Sequence, residues 1–184
     1  MTFASQLTLS RILLTFLFMF FLFKETFIFR SLALLTFLIA SLTDWVDGRM
    51  ARRMHAVSDF GKLMDPIADK ILILAAFLAF VELQLVPAWM VILVFTRELL
   101  ITGVRLFAYS NGKVLAAGRG GKHKTATQMI AAIWILTALL LKEKAPGLPF
   151  LKDSIFWAMF FAVGVTLSSG ILYLFRNRSL FYAK

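Results

Sequence analysis

Six long apolar segments constrain the fold of this chain more than any other feature of its sequence. Hydrophobic residues make up 60% of the 184 residues, and the mean hydropathy is +0.84. At about 1.5 Å of rise per residue, helices of these lengths suit a hydrocarbon core about 30 Å thick. Backbone in lipid must satisfy its own hydrogen bonds, and these segments lack the alternation of barrel strands. The sequence therefore predicts an all-α integral membrane protein with six transmembrane helices. The segments are 6–23, 30–50, 64–83, 87–109, 123–141 and 151–175.

The polar breaks between these segments are short, and no repeat of fixed period is present. We therefore expect a single domain over residues 1–184. The first apolar segment has no small-residue cleavage site and five more follow it, so we interpret it as a helix of the mature protein. Cysteine is absent, which excludes disulfides and thiolate ligands. Any metal ion must then bind to oxygen or imidazole groups.

The distribution of basic residues between the two sides of the membrane predicts the orientation. Positive charge in short loops marks the cytoplasmic side, which places both termini and the loop between the second and third segments in the cytoplasm. Nucleic-acid binding is disfavoured, because the positive charge is divided among separate loops. Twelve basic residues lie on the predicted cytoplasmic side: Arg49, Arg52, Arg53, Lys62, Arg105, Lys113, Arg119, Lys122, Lys124, Arg176, Arg178 and Lys184. Five lie on the other side: Lys24, Arg30, Lys142, Lys144 and Lys152.

Four aspartates surround the break between the second and third segments. Asp44 and Asp47 are three residues apart at the end of one helix, and Asp65 and Asp69 are four apart at the start of the next. Each pair therefore shares one helix face. Crowded carboxylates repel one another, and divalent cations relieve that repulsion; ligation by oxygen alone suits magnesium, manganese or calcium. The pattern predicts a divalent-cation site with room for two ions.

Two glycines and an arginine in the same stretch predict a large anionic ligand beside the metal ions. Gly48 and Gly61 carry no side chain that would keep such a ligand at a distance. Arg52 lies two turns beyond Asp44 and can donate hydrogen bonds to phosphate oxygens. The alternative is that the aspartates are ordinary helix caps and solvated charges. Four carboxylates on two helix ends, with these three residues in register, argue against it.

The stretch from Asp44 to Asp69 resembles the signature of the CDP-alcohol phosphatidyltransferase family. That signature reads DxxDGxxARx8GxxxDxxxD, and the chain matches it at every position, including Ala51. The resemblance implies a six-helix membrane enzyme, usually a homodimer. Such an enzyme uses the hydroxyl of an acceptor to displace CMP from a CDP-linked lipid or alcohol.

The same resemblance implies roles for individual residues. Asp44, Asp47 and Asp65 would be ligands of two magnesium or manganese ions, and Asp69 would be both a ligand and the general base. Attack on a diphosphate requires neutralisation of charge on the attacking and leaving oxygens, which two metal ions can provide. The positions that would bind the CDP-lipid are Thr8, Gly48, Arg52, Ser58 and Gly61.

Two further segments resemble the bacterial members of the family that use glycerol-3-phosphate. One runs from Thr8 to Arg11, with Ser5 where an asparagine is common, and the other runs from Thr96 to Met129. The resemblance implies transfer of the phosphatidyl group from CDP-diacylglycerol to glycerol-3-phosphate, in the bacterial cytoplasmic membrane. An acceptor with its own phosphate would account for the basic residues near the site. Those expected to bind it are Lys62, Arg105, Arg119 and Lys124.

Three alternatives remain at this point. An inositol-phosphate transferase would also need basic residues for its acceptor, and a cardiolipin-forming relative would use a lipid as acceptor. A divalent-cation transporter would place carboxylates in a membrane cavity as well. Arg52 opposes the transporter, because a cation pathway would be repelled by its charge.

Charged and polar residues inside the later apolar segments predict internal contacts. Arg97 and Glu98 are neighbours in the fourth segment. Since adjacent helical residues point about 100° apart, we expect that they do not pair directly with each other. Each should instead pair with other residues, in an ion network or with substrate. Thr125 and Gln128 in the fifth segment are expected either to face the cavity or to hydrogen-bond a neighbouring helix.

Overall fold

The computed structural model describes residues 3–54, 59–110, 120–145 and 147–178, and the side chains of residues 9–43, 70–110, 123–145 and 147–178. The described residues form six α-helices and no strand, which confirms the predicted all-α class for this part of the chain. Each predicted apolar segment coincides with one helix. The helices are α1 (Phe3–Leu22), α2 (Phe27–Met54), α3 (Asp59–Glu82), α4 (Ala88–Ser110), α5 (Gly120–Lys144) and α6 (Phe150–Arg176).

The outer surface of the bundle is apolar. Leu13, Phe16 and Phe161 are 63%, 70% and 66% exposed, and many other large apolar side chains also face outward. Within the described residues, two helical stretches are long and apolar enough by themselves to cross a membrane, namely His123–Lys144 and Phe150–Arg176. An apolar surface this extensive is unsuited to water and indicates a lipid environment.

The core is formed by aromatic side chains packed among small residues. Phe18 of α1 and Phe37 of α2 are fully buried, with ring centroids 5.5 Å apart. Ala33, Ala40 and Ala76 are also fully buried, and small residues of this kind allow close approach of membrane helices. Helix α1 packs against α2 and α3, α5 packs against α6 and α2, and α4 packs against α6 and α3.

Successive helices run in opposite directions, so that the bundle has two distinct ends. Near one end, Arg105 close to the end of α4 donates to Tyr173 close to the end of α6. Near the other end, Arg30 at the start of α2 forms an ion pair with Glu143 at the end of α5. We call the first the site end, where α2, α4 and α6 finish and α3 and α5 begin, and the second the distal end.

Helix α3 ends at the distal end in a hydrogen-bonded turn. The amide of Leu85 donates to the carbonyl of Phe80 at 2.8 Å, and the amide of Gln84 donates to the carbonyl of Val81 at 2.9 Å. This pair of bonds is the Schellman arrangement, which needs a left-handed residue after the helix. Gln84 occupies that position with a φ of 55°. The turn reverses the chain within a few residues and brings α4 back toward the site end.

Candidate active site

The four predicted metal ligands lie on two helices that pack against each other. Asp44 and Asp47 belong to α2, and Asp65 and Asp69 belong to α3. These two helices are in contact, and their backbones are helical through all four positions. Each pair therefore shares one face of its helix, as the spacing predicted. The four carboxylate groups lie outside the described side chains, so their role as ligands stays a prediction.

The predicted CDP-lipid positions are divided among three helices. Thr8 belongs to α1, Gly48 and Arg52 belong to α2, and Gly61 belongs to α3. Helix α2 continues four residues beyond the predicted apolar segment, so that Arg52 is helical and in register with Asp44 and Asp47. The prediction for Ser58 lies outside the described residues.

Next to the Asp44–Asp69 stretch, three basic side chains surround the carboxylate of Glu98, and one of them is Lys70, which directly follows Asp69. The amine of Lys124 on α5 donates to Glu98 Oε1 at 2.5 Å, and Arg97 Nη1 donates to the same oxygen at 3.2 Å. Lys70 Nζ on α3 lies 3.9 Å from Glu98 Oε2. The side chains of Arg97, Glu98 and Lys124 are only 10%, 14% and 11% exposed. One carboxylate on α4 thus holds together cations from α3, α4 and α5; we call these four residues the Glu98 cluster.

The expectation that Arg97 and Glu98 would not pair directly was wrong. Their Cα–Cβ bonds diverge, but both side chains are long and bend toward the same polar position inside an apolar bundle. The second part of that expectation is confirmed, because each also has another partner. Glu98 binds Lys124, and Arg97 Nη2 donates to Ser169 Oγ on α6 at 2.9 Å.

Two arginines attach α4 to α6. Arg97 passes over Gly170, where an added Cβ would lie 2.9 Å from Arg97 Cγ and 3.0 Å from Arg97 Nε. Arg105 Nε donates to the hydroxyl of Tyr173 at 3.3 Å, and its guanidinium carbon lies 5.2 Å from the centre of the Tyr173 ring. Arg105 is otherwise exposed, so its guanidinium is accessible to an anion near the site end.

Helix α5 contributes a buried hydrogen bond as well as Lys124. Gln128 Nε2 donates to Thr166 Oγ1 on α6 at 2.9 Å, and the two residues are 2% and 0% exposed. Of the two roles expected for Gln128, contact with a neighbouring helix is therefore confirmed. Lys62, on α3, has its side chain outside the described set, and Arg119 lies outside the described residues altogether.

Lys70 is a residue of this region that the sequence analysis missed. It directly follows Asp69 on α3, and its amine donates to Thr102 Oγ1 of α4 as well as lying beside Glu98. The signal that could have identified it is a lysine within an apolar segment, which requires a counter-ion or a polar partner. The partner itself is 28 residues away along the chain and could not be read from spacing.

Comparison with known proteins identifies the family. A sequence model of the CDP-alcohol phosphatidyltransferase family matches residues 1–168, which include the Asp44–Asp69 stretch and the Glu98 cluster. The chain belongs to this family, and the family membership predicted from the sequence is confirmed. The family is one of transferases, and the apolar helices of this chain indicate a membrane protein.

Several curated relatives carry the name CDP-diacylglycerol–glycerol-3-phosphate 3-phosphatidyltransferase. The protein of that name from Bacillus subtilis is 45% identical over 130 residues, which cover 69% of this chain and 65% of the relative. Its namesake from Mycoplasma genitalium is 40% identical over 98 residues, 53% of this chain and 42% of the relative. The one from Rickettsia typhi is 32% identical over 165 residues, 88% of this chain and 90% of the relative. The matched region thus spans less than two thirds of the first two relatives and nine tenths of the third.

Proposed function

We propose that this protein transfers the phosphatidyl group of CDP-diacylglycerol to the hydroxyl of glycerol-3-phosphate and releases CMP. The observation that carries the proposal is the complete family signature on two contacting helices, α2 and α3. The choice of acceptor is supported by the names of the relatives, of which the Rickettsia typhi protein aligns with 88% of this chain. The catalytic unit is a single domain formed by residues 1–184.

The donor set of the signature fits a divalent metal site. Asp44, Asp47, Asp65 and Asp69 would hold two magnesium or manganese ions, because carboxylate oxygens are the ligands these hard cations prefer. The chain offers no thiolate that would favour a softer metal. When bound, such ions neutralise charge on the diphosphate and stabilise the departing CMP.

The remaining signature residues would bind the nucleotide lipid and move a proton. Arg52 would donate to the diphosphate, and Gly48 and Gly61 would leave space for it along the helix surfaces. Thr8 and Ser58 would contact the cytidine part of the donor. The carboxylate of Asp69 would accept the proton of the acceptor hydroxyl as that oxygen attacks the lipid-bearing phosphorus, with CMP leaving. This single displacement involves no covalent enzyme intermediate.

Basic residues near the site end would bind the phosphate of the acceptor. Arg105 and Lys124 lie on helices α4 and α5, which both contact α3, and Lys124 shares Glu98 with Lys70, the residue after Asp69. An acceptor without a phosphate would not require several cations, whereas glycerol-3-phosphate carries two negative charges at neutral pH. We assign the acceptor phosphate to Lys62, Arg105, Arg119 and Lys124.

We further propose six membrane spans with both termini and the active site on the cytoplasmic side of a bacterial cytoplasmic membrane. The alternating direction of the six helices and the unequal division of basic residues between the two sets of loops in the sequence support this topology. In the membrane the protein would act as a homodimer, as is usual in its family.

The test is CMP release from CDP-diacylglycerol by the detergent-purified protein. Glycerol-3-phosphate, inositol phosphate, phosphatidylglycerol and serine are offered separately, each with magnesium and with a chelator. We expect metal-dependent release with glycerol-3-phosphate alone. Release with another acceptor would show that the protein is a family member with a different acceptor. Metal binding without any CMP release would instead favour a cation transporter.

A further inference from the structure

The Glu98 cluster places one partly buried carboxylate among three cations on three helices. Lys124 and Arg97 share Glu98 Oε1, and Lys70 approaches Oε2. Charges in an apolar bundle are costly unless they are paired and hydrogen-bonded. Glu98 is therefore the counter-ion that stabilises the charges of Arg97 and Lys124, whose side chains are only 10% and 11% exposed.

Glu98 also fixes where two of these amines lie. Lys124 is 9% exposed, and its amine contacts Glu98 at 2.5 Å, so it does not move freely toward water. The amine of Lys70 lies between Glu98 and Thr102 Oγ1, and Thr102 itself donates to the backbone carbonyl of Glu98 at 2.7 Å. A single turn of α4 thus holds a side chain of α3 and a side chain of α5.

This arrangement connects the residues proposed for proton transfer with those proposed to bind the acceptor phosphate. Lys70 follows Asp69, the proposed base, by one residue, and Lys124 is one of the cations assigned to the acceptor phosphate. Glu98 contacts both, with Lys124 at 2.5 Å and Lys70 at 3.9 Å, so its carboxylate lies between the segment proposed to take the proton and a cation proposed to bind the phosphate.

We propose that Glu98 is a positioning residue for the acceptor: by holding Lys70 and Lys124, it sets the distance between the acceptor's phosphate and Asp69. The inference rests on the proposed function and adds a residue outside the family signature. Glu98 does not itself bind the acceptor, because a carboxylate repels a phosphate. Its loss should therefore weaken acceptor binding through Lys124 while leaving the nucleotide lipid, held on α1, α2 and α3, unaffected.

The experiment compares Glu98→Gln and Glu98→Asp with wild type in the CMP-release assay. The KM for glycerol-3-phosphate is measured at saturating CDP-diacylglycerol, and the KM for CDP-diacylglycerol at saturating acceptor. Glu143→Gln is the matched control, since it removes the same charge from a partly buried ion pair, with Arg30, at the distal end. The thermal unfolding temperature of every variant is recorded in the same detergent.

For Glu98→Gln we expect the KM for glycerol-3-phosphate to rise about 10- to 100-fold, by analogy with the loss when the residue that orients a metal ligand is replaced. The KM for CDP-diacylglycerol should stay within about twofold of wild type. Glu98→Asp keeps the charge and should recover a large part of the acceptor affinity. Glu143→Gln should leave both KM values unchanged.

Three outcomes would overturn the inference. An unchanged acceptor KM, with a lower kcat and a lower unfolding temperature, would show that the Glu98 cluster is only structural. A lower acceptor KM would show that Glu98 repels the acceptor. Equal increases in both KM values would show a general distortion of the site. If wild type itself released no CMP with glycerol-3-phosphate, the proposed function would be wrong. That result differs from the three outcomes above, each of which requires an active wild type.

Discussion

The contact between Gly170 and Arg97 predicts opposite effects for two similar substitutions in α6. In Gly170→Ala the new Cβ would lie 2.9 Å from Arg97 Cγ, closer than carbon atoms approach. Arg97 cannot move away without loss, because its guanidinium is held by Glu98 and Ser169. Gly164→Ala is the control, since a Cβ there meets nothing within 4 Å.

The magnitudes follow from three contributions. Replacing glycine by alanine inside a helix stabilises by about 1 kcal/mol, and this applies at both positions. At Gly170 it is opposed by overpacking, which costs about 1–3 kcal/mol, and by the loss of the Arg97 bond to Ser169, about 1 kcal/mol. Gly170→Ala should therefore be about 1–3 kcal/mol less stable than wild type, and Gly164→Ala about 1 kcal/mol more stable.

Thermal unfolding in detergent measures both effects. At about 2–4 °C per kcal/mol for a chain of this size, Gly170→Ala should lower the unfolding temperature by roughly 2–12 °C, and Gly164→Ala should raise it by a few degrees. Shortening the arginine in the double variant Gly170→Ala/Arg97→Ala should remove the clash. The reasoning is refuted if the two single glycine variants shift the unfolding temperature in the same direction by similar amounts.

Three further predictions concern the proposed base, the turn after α3 and the buried amide. Asp69→Asn should keep CDP-lipid binding but lose about 100- to 10,000-fold in turnover, whereas Arg52→Ala should first weaken binding of the nucleotide lipid. Asp153→Asn at the distal end is the control, and full activity of Asp69→Asn would disprove the base assignment. Gln84→Gly should stabilise the protein by about 0.5–1 kcal/mol and raise its unfolding temperature, because glycine adopts a φ of 55° without strain. A lower unfolding temperature would show that the contacts of the Gln84 side chain contribute more than the backbone strain costs. Thr166→Val should destabilise the protein by about 1–3 kcal/mol, because it leaves the Gln128 amide without its acceptor. The double variant with Gln128→Leu should recover most of that stability. A double variant as unstable as Thr166→Val would contradict this account.

The helices could be predicted because their apolar length is a direct consequence of a lipid environment. Their ends were less predictable, and α2 shows why. Its apolar segment was predicted to finish at residue 50, but the helix continues to Met54 through charged residues. Hydrophobicity reports where a helix leaves the apolar region, whereas the helix itself ends where backbone hydrogen bonding stops.

The placement of the candidate site residues could be predicted along each helix but not between helices. The spacing of Asp44 and Asp47 on α2, and of Asp65 and Asp69 on α3, is a local property that a helical backbone preserves. The Glu98 cluster depends on which helices pack together, and its members come from three helices separated by many residues. The direction of the Cα–Cβ bonds also failed to predict the pairing of Arg97 with Glu98, because both side chains are long enough to meet although these bonds diverge.

The Glu98 cluster also bears on how the chain enters the membrane. Placing one unpaired charged side chain at the centre of a membrane helix costs about 2.5–3.5 kcal/mol on insertion scales. Inserted separately, α3 and α4 would lack the contact between Lys70 and Glu98. The turn between Glu82 and Ala88 is short, so α3 and α4 can enter as a hairpin in which the two charges already face each other. The contact between Lys70 and Glu98 would then reduce the free-energy cost of inserting each charge.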